Sequence, residues 1–395
     1  MISSIADSYG LYDLNKKYSE INQFYYDENE VAKLIVDYQK FYFKPDLPEI
    51  KIENGKLIFK SQVYNEECNK NAIFYTNLYS NKIKENVSVI MIHGWRSEKL
   101  NRLESVFLNE FKKKQYNIYR YILPYHMDRF DKSNYSGEYF YSANVSRTLK
   151  SIMQSVNDIR ALISYLKGNN NKVIIIGLSL GGLIGNLIAE YEENIDLLIS
   201  IFPANNLAFT TFESEAGKYV KKDLLEKSFD FNKLNKIWTI INPSLNKPVI
   251  DLNKILLIHG SYDKYVLYED TQKIFKNWGI KNELLNCGHS GIVINKKEIR
   301  NKVIDFINKE LWMWYYMYMV GTILYTTKLL KNIEKYNNNT ISDENKEAIY
   351  MKLLSLNIDN KDNRKTHVQA IHNDIKEKNN RINNNLYRKC NDIYI

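Results

Sequence analysis

The sequence predicts an α/β fold: a mostly parallel sheet with helices on both faces and a helical cap inserted near its end. Two observations carry that expectation. Short apolar runs recur along the chain, VSVIMI at 87–92, KVIII at 172–176 and KILLI at 254–258. They are continuous rather than alternating, as strands buried on both faces must be. Amphipathic stretches of helical length separate them, and that alternation implies parallel strands joined by crossover helices.

Residues 1–45 read as helical, with Val31, Leu34, Ile35, Tyr38 and Tyr42 on one face and Pro45 and Pro48 ending the pattern. Residues 50–60 read as a hairpin around Asn54-Gly55, the strongest short hairpin signal. Strands are expected at 72–79, 87–92, 117–123, 172–176, 196–202, 254–258 and 282–286. Helices are expected at 98–115, 145–167, 180–192, 266–278 and 294–310. The alternation breaks once, between Pro203 and Pro248. An insertion there follows a strand end and belongs over the carboxyl edge of the sheet, where α/β folds bind ligands. The resulting division is an N-terminal helical extension (1–48), an α/β domain (49–311, with its cap at about 203–250), an apolar aromatic helix (312–327) and an Asn/Lys-rich tail (328–395).

Composition narrows the function. The chain has 395 residues, 44% hydrophobic and 26% charged, enough for a large core. Its 13% aromatic content excludes a mainly disordered protein. The net charge of +9 is spread along the chain without a dense basic block, so no nucleic-acid partner is expected. Cys68, Cys287 and Cys390 are odd in number and far apart, which argues against a disulfide framework or a zinc site. No metal or other cofactor is implied. The N-terminus carries Asp7 and no apolar run, so no secretory signal is read and a cytoplasmic location is expected. The stretch 311–327 (LWMWYYMYMVGTILYTT) has no charge and is heavy in Trp and Tyr. Three readings stay open for it: a buried or partner-facing helix, peripheral membrane contact, or a short span.

The chemistry starts at Gly177-Leu178-Ser179-Leu180-Gly181. This G-x-S-x-G follows the apolar strand and opens a helix without a gap, which puts Ser179 on a sharp strand-to-helix turn as a candidate nucleophile. Gly177 and Gly181 remove the clashes that side chains there would make. A serine hydroxyl needs a base. Among six histidines, His289 lies in Asn286-Cys287-Gly288-His289-Ser290-Gly291 after the last expected strand. His126 is its one rival; His93 and His259 each precede a glycine at a strand end and read as loop-shaping. The imidazole needs an acid, and Asp263 follows the KILLI strand at the same sheet edge, where it also suits the N-cap of the next helix. Oxyanion donors are expected from the backbone N–H groups of Leu180 and Trp95, the latter in the loop His93-Gly94-Trp95-Arg96. Tyr125, His126, Arg129, Phe202 and Tyr262 are candidates for the substrate pocket, Arg129 either for a substrate anion or for a structural ion pair.

These motifs resemble the α/β-hydrolase superfamily over about residues 57–311. The match comprises a His-Gly-x loop after the third strand in that family's count, G-x-S-x-G after the fifth, G-x-x-D after the seventh and G-H after the eighth, with the chain order Ser, Asp, His. Leu-Pro-Tyr-His-Met-Asp-Arg at 123–129 further resembles bacterial esterase-like members. The resemblance implies hydrolysis of an ester, thioester or amide through an acyl-enzyme. A carboxylic ester of a small molecule or lipid is the expected substrate. A peptidase or amidase, a membrane-associated lipase, and a non-catalytic binding protein on the same fold are the rivals.

Overall fold

The computed structural model describes residues 2–311 apart from 17–22, 37–40, 65, 80–85, 131–134 and 281–282, together with Lys331, Ser342 and Lys346. The chain divides into two units, Met1–Leu311 and Trp312–Ile395. The expected aromatic helix at 312–327 lies outside the described residues, as does the tail apart from those three positions. Among the described residues no helix is long and apolar enough to cross a membrane.

One nine-stranded sheet organises the first unit. Strands β1 (Lys51–Glu53) and β2 (Lys56–Lys60) form the expected hairpin, with Glu53 opposite Lys56. Asn54 and Gly55 take φ of 49° and 72° between them, the turn whose twist matches its strands. Strand β3 (Asn71–Asn77) pairs antiparallel with β2 and with β5 (Asn117–Tyr121). The rest is parallel: β4 (Asn86–Ile92), β6 (Asn171–Leu178), β7 (Leu197–Ile201), β8 (Ile255–Gly260) and β9 (Glu283–Leu285). The spatial order is β1-β2-β3-β5-β4-β6-β7-β8-β9. From β4 the chain steps to one side to form β5, then crosses over to form β6 on the other. That reversal leaves a crevice outside the carboxyl ends of β4 and β6.

The apolar runs are buried on both faces. Val173 and Ile175 share one core cluster with Ile90, Ile92, Leu198 and Leu257, and with the long helix α4 (Val145–Gly168) and helix α5 (Leu180–Ala189). Their sequence neighbours Ile174, Ile176, Val89 and Met91 point the other way and are equally buried. Helix α3 (Asn101–Lys113) buries Leu103, Val106, Phe107 and Phe111 outside that cluster, as expected for the opposite layer. Each Ile or Leu removed from water in this way contributes roughly 1.5–3 kcal/mol.

Between β7 and β8 lie helices α6 (Leu207–Glu213), α7 (Lys218–Leu225) and α8 (Phe231–Ile237). Asn206 caps α6 through its side chain. Its own N–H donates to buried Asp270 on α9 (Tyr268–Trp278) at 2.8 Å. The Ser214 hydroxyl donates to Tyr265 O at 2.8 Å, tying this insertion to the loop after β8. Beyond β9, helix α10 (Gly291–Ile294) ends at a turn on Asn295, and helix α11 follows at 296–311.

The N-terminal extension departs from a continuous helix. It forms α1 (Ile2–Lys16) and α2 (Glu28–Val36), with extended backbone between them at residues 23–27. Tyr25 bridges to Asn144: its N–H donates to Ala143 O and its carbonyl accepts from Val145 N–H. Asp27 then restarts the helix by accepting from Glu30 N–H at 2.9 Å.

Arg129 is turned into the protein. Its side chain has no exposure, and Nη1 donates to Tyr121 Oη (2.9 Å) and Ile122 O (2.8 Å), while Nη2 donates to Asn69 O (3.2 Å) and meets Asp158 Oδ2 at 3.3 Å. Of the two roles open to it from sequence, the structure shows the ion pair. Removing one member of a buried pair strands the other's charge. Arg129→Met is therefore expected to cost about 3–5 kcal/mol in denaturant unfolding. An unchanged midpoint would refute this account.

Candidate active site

Ser179 sits where β6 becomes α5, with φ 57° and ψ −116°, a conformation that L side chains rarely adopt. Close packing holds it there. A Cβ at Gly177 would collide with Gly181 O, and one at Gly181 would collide with Ile92 O, so only glycine lets the turn approach β4. Ser179 N–H donates to Ile201 O at 2.9 Å, and its carbonyl accepts from Gly182, Leu183 and Ala204 N–H groups. The seryl residue stays partly exposed between buried Leu178 and Leu180.

His289 and Asp263 meet in the loops after β9 and β8. His289 Nδ1 lies 2.7 Å from Asp263 Oδ2, and both side chains are nearly buried. The carboxylate accepts, so Nδ1 carries a proton, and in the neutral tautomer this fixes Nε2 as the acceptor. The other oxygen, Oδ1, accepts from Tyr265 and Val266 N–H, each at 2.9 Å. Asp263 thus shapes its own turn and orients the imidazole with the same group. The ring is held on its faces as well: Tyr265 stacks on it at 4.8 Å, and the Phe202 ring lies 5.8 Å away. Phe202 directly follows Ile201, the residue that accepts from Ser179 N–H, so the loop after β7 links the serine to the imidazole.

The loop after β4 lies against Ser179. A Cβ added at Gly94 would stand 3.2 Å from Ser179 Cβ. Two histidines fix this loop through backbone groups. His93 Nε2 accepts from Leu123 N–H at 3.1 Å, and His126 Nε2 accepts from Arg96 N–H at 3.1 Å. Each Nδ1 donates to a carbonyl, Gly94 O and Pro124 O respectively, at 2.8 Å. Burial pushes the His93 imidazolium down to about 4, and it drives that of His126 well below the ordinary value, so both rings stay neutral. Leu180 opens α5, where the first N–H groups have no acceptor within the helix.

The remaining candidates separate. His126 is buried against His93 and Phe140, where its ring clamps the loop after β4. Tyr125 is buried at φ 60°, its N–H bonded to Asn69 Oδ1. Tyr262 is 53% exposed and anchors by its N–H to Cys287 O. His259 is enclosed by Phe275 and Tyr268, and burial pushes its imidazolium to about 3. Sequence reasoning missed Tyr265, although it lies two residues past Asp263. No local signal marks it.

No family model matches the chain. The uncharacterized protein YdjC of Bacillus subtilis (strain 168) is 34% identical over 115 residues, 29% of this chain and 99% of YdjC. Among solved structures, the acetyl xylan esterase from Paenibacillus sp. R4 superposes with a TM-score of 0.50 at 8% identity, covering 75% of this chain and 99% of the esterase. The Pyrococcus furiosus esterase PF2001 gives 0.44 at 18% identity, over 72% of this chain and 94% of that one. The Pyrococcus horikoshii acylaminoacyl peptidase gives 0.47 at 14% identity over 70% of this chain, which spans only 44% of the peptidase. The chain has the α/β-hydrolase fold, and it belongs to one protein family with YdjC.

Proposed function

We propose that this chain is a serine hydrolase that cleaves a carboxylic ester. The observation that carries the proposal is the buried His289 Nδ1–Asp263 Oδ2 contact of 2.7 Å, in loops at the same sheet edge as a serine held in strained backbone. A base with its Nδ1 proton fixed presents Nε2 to a hydroxyl. Ser179 Oγ attacks the carbonyl carbon as His289 takes its proton. Leu180 and Trp95 N–H groups hold the negative oxygen of the tetrahedral intermediate. The intermediate collapses, His289 passes its proton to the departing alcohol, and an acyl-serine remains. Water, deprotonated by His289, then releases the acid. A narrow cavity lined by Trp95, Arg96, Glu138, Tyr141 and Tyr219 adjoins the oxyanion loop, with room for about one water.

Hydrolysis of p-nitrophenyl esters of increasing acyl length tests this. Ser179→Ala is expected to lower kcat by at least about a thousandfold and to abolish labelling by a fluorophosphonate. Labelling that survives the substitution would sink the assignment. Ser179-dependent cleavage of anilides alone would replace the ester by an amide.

A pH signature accompanies the site. The unfolded chain binds protons on His93 and His126 below about pH 6.5, while the folded protein refuses them. Stability from this source is therefore full above that pH. It falls as pH drops toward about 4, where folded His93 protonates. Buried Glu190, raised to about 8, and Asp270, raised to about 6, act in the opposite sense. The histidine share is read by difference. Thermal unfolding of His126→Gln between pH 6.5 and 4 should depend less steeply on pH than the wild type; equal slopes would contradict this account.

A further inference from the structure

We propose that Asp7, on the N-terminal helix, is a positioning residue for the catalytic base, its carboxylate holding the loop backbone that aims His289. The inference rests on the serine-hydrolase reading above. Asp7 is wholly buried. Its Oδ2 accepts from His289 N–H at 2.7 Å and from Lys264 N–H at 3.3 Å, and its Oδ1 accepts from Ser290 N–H at 2.7 Å. One turn earlier, Ser3 Oγ accepts from Gly288 N–H at 2.9 Å. Two side chains of one helix thus collect backbone donors from the loop of the base and the loop of its acid.

The fit is close on both sides. A Cβ at Gly288 would collide with Asp7 Oδ2, so glycine there gives the carboxylate its place against the backbone. A Cβ at Gly10 would strike the hydroxyl of Tyr265, whose ring stacks on His289. Leu14 O accepts from Arg96 Nη1 at 2.7 Å, so the same helix also reaches the oxyanion loop. Ser3, Asp7, Leu11 and Leu14 recur at helical spacing on one face, of which Ser3, Asp7 and Leu11 are buried. Convergent backbone N–H groups form a nest that calls for an anion, and a charged acceptor binds them more firmly than a neutral one. In an active site a displacement of about 1 Å costs about a hundredfold in rate.

The test is Asp7→Ala in the full chain, assayed on p-nitrophenyl esters with kcat expressed per site titrated by a fluorophosphonate. Alanine keeps the helix and empties the nest. The expected result is a fall in kcat of at least about tenfold with KM within about twofold, consistent with a displaced base and an intact binding cleft. Added formate, a small carboxylate able to occupy the nest, should restore part of that kcat. The same concentration of chloride should not, and the wild type should not respond to formate. An unchanged kcat per titrated site overturns the inference, and so does a loss that formate does not touch. If Ser179→Ala keeps the activity of the wild type, the hydrolase reading fails instead.

Discussion

The constraint on which this molecule depends is the passage of the chain through the turn at Ser179. Strand β6 runs into helix α5 with no loop to absorb the change of direction, so one residue takes up the whole bend at φ 57° and ψ −116°. Such backbone is unfavourable by of order 1–3 kcal/mol and persists only where its surroundings over-determine it. Here the surroundings are β4 and β7. Ile92 O leaves no space for a side chain at Gly181, and Ile201 O takes the Ser179 N–H. The central sheet has to be in register before the serine can be held in place.

The loops around that turn follow a common rule: a polar side chain is used up on backbone so that a neighbour can be free. His93 and His126 accept N–H groups from loops that cross theirs. Asp263 commits one oxygen to its own turn and reserves the other for His289. Tyr265 stacks on the imidazole and the Phe202 ring lies tilted beside it. In a buried setting, where an unpaired polar group is costly, this arrangement holds the loops more firmly than apolar packing alone.

Much of this was legible in the sequence, and the remainder was not for reasons that can be named. Continuous apolar runs announce strands buried on both faces, and each of the central strands is found within a few residues of its expected span. Ser179, Asp263 and His289 each follow a strand at the same sheet edge, so strand order alone brings their loops together. Side-chain direction is another matter. Arg129 reads either as a ligand for a substrate anion or as half of an ion pair, and nothing local decides between them. Its burial depends on Asp158, a partner 29 residues away on a helix that no spacing rule links to it. His126 and His289 look alike as neighbours of strand ends; their roles differ because one ring meets backbone and the other a carboxylate. Extended backbone at 23–27 was hidden by helical periodicity on either side, since a bridge to Asn144 is a tertiary event.

The contact between the first helix and the last loop of the sheet has a consequence for how the molecule comes into being. Asp7 and His289 are 282 residues apart in the chain. During synthesis helix α1 emerges well before the backbone it holds, which follows β9, the edge strand of the sheet. Contacts of such long sequence separation carry a large loop-closure cost and form late. A nascent chain with its central strands already paired would still lack its clamped imidazole. On this order of events the Asp7 contact is the last of these to close, and the hydrolysis proposed above waits on it.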